Sequence, residues 1–198
     1  MSSRPYVTHP GVAMEQKAIA GLKEKTGRSL EEWVAFMKRK GPKTKVERID
    51  WLKSEHGLGT MYAKWLADRC EEKPHEYVPD EYVEKMFSGK KAGLRPVYDK
   101  LLEIGYSLGR DVTATPCATM VPLRRKFVFA QLKPTTNTRL DLGLALGDTK
   151  ESGRLIDTGG FAKKDRITHR IGIGSVAEID KEVLAWLRKA YESTPAGT

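Results

Sequence analysis

A change of texture at Gly109 divides this chain of 198 residues. Before that glycine, apolar residues recur at three- and four-residue spacing between helix start and stop signals. After it they alternate in short runs broken by Gly, Pro, Asn and Asp. The first pattern belongs to amphipathic helices and the second to half-buried strands. Leu140, Leu142, Leu144 and Leu146 alternate with Arg139, Asp141, Gly143 and Ala145. One face of that strand therefore meets a core and the other meets solvent or a ligand. Segregated helices and strands predict an α+β fold.

The helical part carries its own punctuation. Residues 1–12 include Pro5, Pro10 and Gly11 without any period, and predict a loose arm. A weakly amphipathic helix is expected from Ala13 to Lys25, ending near Gly27. Ser29 with Glu32, and Thr44 with Glu47, have the spacing of capping boxes. They open helices striped by Trp33, Val34, Phe36 and Met37, then by Ile49, Trp51 and Leu52. A fourth helix begins near Thr60, after the hairpin Gly57-Leu58-Gly59. The expectation is a four-helix domain over 13–72 with a helix-hairpin-helix-like turn, then a linker over 73–79.

Residues 80–193 predict a second domain, with a tail at 194–198. A short helix over 81–87 precedes a longer one over about 90–108, which either begins near Pro96 or kinks there. About six strands follow between Val112 and Ile173. Ser175 and Glu178 then resemble a cap for a last helix bearing Ile179, Val183, Leu184, Leu187 and Tyr191. The economical solution is an antiparallel, or mixed, sheet with both helices on its apolar face.

A formal net charge of +9 and a sequence pI near 9.5 favour anionic partners: nucleic acid, a phosphometabolite or an acidic protein. A solvated basic surface is the plain alternative. Lys38-Arg39-Lys40-Gly41-Pro42-Lys43-Thr44-Lys45 contains no acid, and Lys163-Lys164-Asp165-Arg166 is a second basic run, followed by Arg170. No apolar run approaches a membrane span and the N-terminus lacks the apolar core of a signal peptide, so the cytoplasm is expected and no membrane partner. Cys70 and Cys117 match no metal or redox spacing and are expected as reduced thiols. No nucleotide loop, nucleophile elbow or metal-spaced His/Cys cluster is present, so neither cofactor nor metal is expected. The oligomeric state is left open.

The hairpin is the first candidate site. Glycines let backbone amides approach a phosphate at a helix N-terminus. A phosphate over Gly59 and Thr60 would draw charge from Lys53, Lys64, or Lys43 and Lys45, with Gly57 shaping the turn. The competing account is that Gly57 ends one helix and Gly59 begins the next. A secondary anion site is expected on the sheet at Arg139, Asp141 and Arg170, rimmed by Arg124, Arg125 and Lys126. The competing account there is an Arg–Asp ladder. His169, also a candidate, shares its face with Ile167, Ile171 and Ile173, as a satisfied core histidine would. Asp111, Gln131 and Lys133 loosely echo a metal-dependent nuclease, without the second carboxylate. His56, in a last helical turn, suits the helix C-terminus. The preferred function is a non-enzymatic binding module for nucleic acid or another polyanion. Its rivals are a protein–protein interaction module for an acidic partner and a small-anion or enzymatic site on the sheet.

Thr26–Trp33 and Trp51–Gly59 resemble a small helical bacterial domain of unknown function. Lys91–Tyr98, Leu123–Lys126 with Phe129 and Ala130, Thr138–Leu144 and Thr168–Arg170 resemble an uncharacterised bacterial domain sometimes labelled a predicted transport protein. Together the resemblances span nearly all of residues 14–193, and they imply no activity. The helix–strands–helix order is also similar to frataxin-like iron chaperones at the level of fold. Their acidic helix ridge is replaced here by Lys90, Lys91, Arg95 and Lys100.

Overall fold

Local signals translate directly into helices in the first half. A computed structural model describes residues 6–71 and 76–197. It divides into two compact units, Thr8–Tyr77 and Val78–Thr198, the latter taking in Tyr6 and Val7 as well. Residues 1–5 of the expected arm 1–12, residue 72, residues 73–75 of the expected linker 73–79 and the last residue of the tail lie outside the described residues.

In the unit Thr8–Tyr77, helix α1 spans Pro10–Ala20 and α2 spans Leu22–Thr26. The helix expected from Ala13 thus starts earlier and is divided at Gly21. Pro10 suits a first helical turn, and the His9 ring accepts the Gly11 N–H at 3.1 Å. Gly27 ends α2 at φ +77. Helix α3, Leu30–Lys40, and α4, Lys45–Ser54, both open on complete capping boxes, at Ser29/Glu32 and Thr44/Glu47. Helix α5 is Thr60–Arg69. The core between these helices is Leu22, Trp33, Met37, Leu52, Ala63, Leu66 and Cys70. Ala63 and Ala67 are fully buried where α5 lies on its neighbours.

The second unit opens with α6, Pro79–Met86, and a 3-10 turn over Gly89–Leu94. Helix α7 then runs over Arg95–Ser107, with Pro96 in its first turn, so the helix begins at that proline instead of kinking there. Six strands follow: β1 Thr113–Ala114, β2 Val121–Arg124, β3 Val128–Pro134, β4 Leu140–Leu144, β5 Ile156–Asp157 and β6 His169–Ile173. They form one antiparallel sheet in the order β1-β2-β3-β4-β6-β5. Helix α8, Lys181–Glu192, closes the unit. Its N-cap is Asp180, which accepts the Val183 N–H at 3.1 Å. The cap expected at Ser175 and Glu178 instead closes a 3-10 turn over Val176–Glu178, leaving Ile179 outside α8.

Register fixes the two sheet faces. Leu132, Leu142 and Ile171 stand opposite one another on β3, β4 and β6, as do Ala130, Leu144 and His169. This face joins Val97, Leu101, Val183 and Leu187 of α7 and α8 in one core. Helix α7 comes so close to β2 that a Cβ on Gly105 would lie 2.6 Å from Leu123 Cδ1. Gln131 with Gly143 and Arg170, and Lys133 with Asp141 and Gly172, occupy the opposite face. That side of β4 was expected to be open, yet all of Leu140–Leu144 is buried. Gly143 explains part of this: a Cβ there would meet Gln131 Cγ at 2.6 Å and Ile167 Cγ2 at 2.8 Å, so long neighbours fold over the bare backbone.

Candidate nucleic-acid interface

The hairpin is built by two backbone conformations. Gly57 adopts φ +63, a left-handed value that reverses the chain after α4, and Leu58 N–H then reaches Leu52 O at 3.1 Å. Gly59 is extended, at φ −63 and ψ 151, and its carbonyl accepts the Ala63 N–H at 3.0 Å. No side chain caps α5, and a Cβ added at Gly59 meets nothing within 4 Å. The first-turn amides of α5, at the positive end of the helix dipole, thus have no side-chain cap.

The expected lysines divide between the two ends of α4. Lys53, in its last turn, and Lys64, in the second turn of α5, are exposed on the helices that flank the hairpin. Lys53 Nζ stands 4.0 Å from Asp50. Lys43 and Lys45 lie at the start of α4, separated from the hairpin by a helix about 15 Å long. Lys45 is ion-paired with Asp68 of α5, and Arg48 pairs with Glu71 at 3.2 Å, which fixes the two helices antiparallel. One phosphate at Gly59 cannot also reach Lys43 or Lys45. A chain of phosphates can.

Beside the hairpin, His56 sits in a box of rings, with centroids 4.4 Å from Trp51, 5.3 Å from Phe36 and 5.4 Å from Trp33. Arg28 closes it, its guanidinium 4.2 Å from the Phe36 centroid and 4.9 Å from Trp33. His56 was expected in the last turn of its helix, but α4 ends at Ser54 with Glu55 as its C-cap, so His56 lies in the turn beyond, packed into the aromatic side of this unit. Sequence reading missed Arg28. The one available signal was its place immediately after the terminating Gly27.

On the sheet, Asp141 gathers part of the expected secondary site. Arg139 Nε lies 2.9 Å and Arg170 Nη1 3.5 Å from its Oδ1, while Thr135 Oγ1 donates to Oδ2 at 2.7 Å. Lys133 faces it in register on β3. The other candidates lie elsewhere. Arg125 donates to Asp111 at 2.7 Å and to the carbonyls of Tyr191 and Thr194, and stacks 4.1 Å from the Tyr191 ring. Its guanidinium holds the Asp111 carboxyl below the usual range and fastens the chain that follows α8. Arg124 lies on β2, paired with Thr113.

His169 is on the apolar face, 1% exposed. Its Nε2 is 2.7 Å from Thr149 O, an acceptor only, so this nitrogen carries the proton. Thr168 Oγ1, 2.8 Å from Nδ1, is then the donor to it and itself accepts the Leu146 N–H at 3.2 Å. The imidazole is satisfied inside the core, away from Asp141. Asp111 is likewise remote from Gln131 and Lys133, being engaged by Arg125, so the residues of the nuclease echo are not brought together. Among the described residues no three His, Cys, Asp or Glu side chains gather as metal ligands. Arg95 of α7 is instead paired with Glu84 and Asp99.

These units define a two-part α+β protein: a helical unit with an open hairpin, and a unit in which helices cover one face of an antiparallel sheet. The chain belongs to the family described as Domain of unknown function (DUF5655), whose model matches residues 83–194, more than half of the sequence. A second model, Domain of unknown function (DUF4287), matches residues 15–72. No curated protein and no solved structure matches the chain. Among the described residues no helix is long and apolar enough to cross a membrane.

Proposed function

We propose that the protein is a cytoplasmic, non-enzymatic binding module that takes nucleic acid, or a polyanion of similar charge spacing, on its helical unit. The uncapped N-terminus of α5 carries this reading: no side chain caps its first turn at Thr60, and a Cβ at Gly59 would meet nothing within 4 Å. Exposed Lys53 and Lys64 flank it. Exposed Lys38, Arg39, Lys40 and Lys43 lie beyond the far end of α4 and would meet other phosphates of the same strand. Contacts of this type grip the backbone and carry no base sequence. The free cysteines Cys70 and Cys117 suit a reducing compartment, and burial pushes both thiols up from their ordinary value.

Fluorescence anisotropy with labelled duplex and single-stranded DNA tests the proposal. Binding should weaken steeply between about 50 and 200 mM salt, with a log–log slope of roughly −0.9 per duplex phosphate neutralised. Gly59→Asp should remove it, because a carboxylate then takes the phosphate's place. The same substitution caps α5 and should stabilise the fold by a few tenths of a kcal/mol. Absence of binding at low salt, or unchanged binding by a folded Gly59→Asp variant, would overturn the proposal.

A further inference from the structure

The second basic run, Lys163-Lys164-Asp165-Arg166, belongs to a cavity in the sheet unit that the proposed nucleic-acid surface does not use. The cavity measures about 770 Å³, within the range of small-molecule sites. Ala145 and Leu146, just past β4, give it an apolar floor together with the buried Thr168. Phe161 and Ala162 form a wall, and Phe161 is 57% exposed. The exposed ring and the apolar lining beside it give a ligand's hydrocarbon a surface to lie on.

The rim supplies charge. Lys164 and Arg166 line the cavity against a single carboxylate, Asp165. Arg166 is held rigid, its Nε donating to Val128 O at 2.8 Å and Nη2 to Thr194 Oγ1 at 2.9 Å. Lys164 has no ion pair among the described residues and is exposed. It is also the residue at φ +60, a value glycine adopts freely and lysine at a cost of about 1–2 kcal/mol. The loop enforces that conformation. Lys164 N–H donates to Phe161 O at 3.0 Å and Asp165 N–H to Gly160 O at 2.8 Å. Gly160 is docked so tightly that a Cβ would lie 2.5 Å from Ile167 O. A strained, unpaired lysine on the lip of an apolar cavity is the pattern expected where the side chain serves a ligand.

We infer that this cavity binds a small organic anion with a compact apolar body, of the medium-chain or aryl carboxylate kind. The carboxylate meets Lys164, with Arg166 adding field, and the hydrocarbon lies on Ala145, Leu146 and Phe161.

The test titrates the full-length 15N-labelled protein with octanoate, octan-1-ol and octylammonium, which share one chain and differ in charge. Octanoate should give saturable amide shifts concentrated in residues 145–147 and 160–168. The alcohol should bind roughly tenfold or more weakly, the loss expected for one charge-assisted hydrogen bond, and the ammonium weaker still. Lys164→Gly should reduce octanoate affinity to that of the alcohol while leaving the thermal midpoint unchanged or raised, since glycine relieves the backbone. Ala162→Trp, which fills the cavity, should abolish both. Equal binding of all three probes, absence of saturable shifts, or full octanoate binding by Lys164→Gly would overturn the inference. Gly59→Asp should leave octanoate binding unchanged, so this result and the nucleic-acid result fail separately.

Discussion

At Gly57 the backbone passes through φ +63, and two residues later, at Gly59, it is extended at φ −63 and ψ 151. Only the first conformation needs a glycine. Gly57→Ala should destabilise the helical unit by about 1–2 kcal/mol, the cost of a left-handed L-residue. Gly59→Ser should be neutral or stabilising by a few tenths of a kcal/mol, because serine caps a helix slightly better than glycine. Urea unfolding followed by tryptophan fluorescence separates the two, since Trp33, Trp51 and Trp65 all lie in this unit. Equal losses in both variants would contradict this assignment of the turn. The glycine pair was legible in the sequence, with Gly57 ending one helix and Gly59 beginning the next, as the two φ values have it; the open space beside Gly59 was not, because it depends on what packs around the turn. His169 shows the same boundary. Its place on the apolar face followed from alternation, whereas its partner Thr149 comes from a loop twenty residues away that no period announces.

Elements follow the sequence wherever the deciding interaction is local. The Ser29/Glu32 and Thr44/Glu47 boxes are local and both form. The start of α8 is capped locally by Asp180 and engaged at longer range by Arg154. Its guanidinium lies 2.6 Å from Asp180 and 3.2 Å from Glu182, and donates to Glu178 O at 3.0 Å. Three carboxyls there are held below their usual range. The Val183 N–H lowers Asp180, and the Arg154 N–H and then its guanidinium lower Glu182; for Glu178 the leading cause is the Gly174 N–H. Since these groups ionise more readily folded than unfolded, their stabilisation is complete above the ordinary carboxylate range and is lost as pH falls through the depressed values. Arg154→Met keeps much of the stem and removes the charge. Its acid-unfolding midpoint, followed by far-ultraviolet circular dichroism, should move to higher pH. Added salt should shrink the difference, as it does for exposed pairs. An unchanged midpoint would mean that backbone donors alone set these carboxyls.

At the scale of the whole chain, the sheet unit is assembled from two separated stretches, because Tyr6 and Val7 return to it across the intervening helical sequence. Val7 N–H donates to Ala114 O at 3.0 Å, and the Tyr6 and Tyr98 hydroxyls meet at 2.7 Å. Tyr98 is fully buried, tilted on Phe87 at 4.6 Å between centroids, and burial pushes its hydroxyl far up. The expected loose arm therefore includes a partner for a core residue. Nothing local could disclose it, since the two tyrosines are 92 residues apart and neither lies in a periodic run that names the other. Tyr6→Phe should cost about 1–3 kcal/mol, the penalty for leaving a buried hydroxyl without its partner. Tyr98→Phe made in the Tyr6→Phe background should cost less than the same change in the parent chain, since the hydroxyl it deletes is already unpaired. Thermal unfolding of the four proteins closes a double-mutant cycle, and a coupling of at least about 0.5 kcal/mol is the expected result for residues in contact. Additive losses would show that the N-terminal segment lends the sheet unit no stability through Tyr98. Coupled losses would make Tyr6 part of the functional folding unit, although the family match begins only at residue 83.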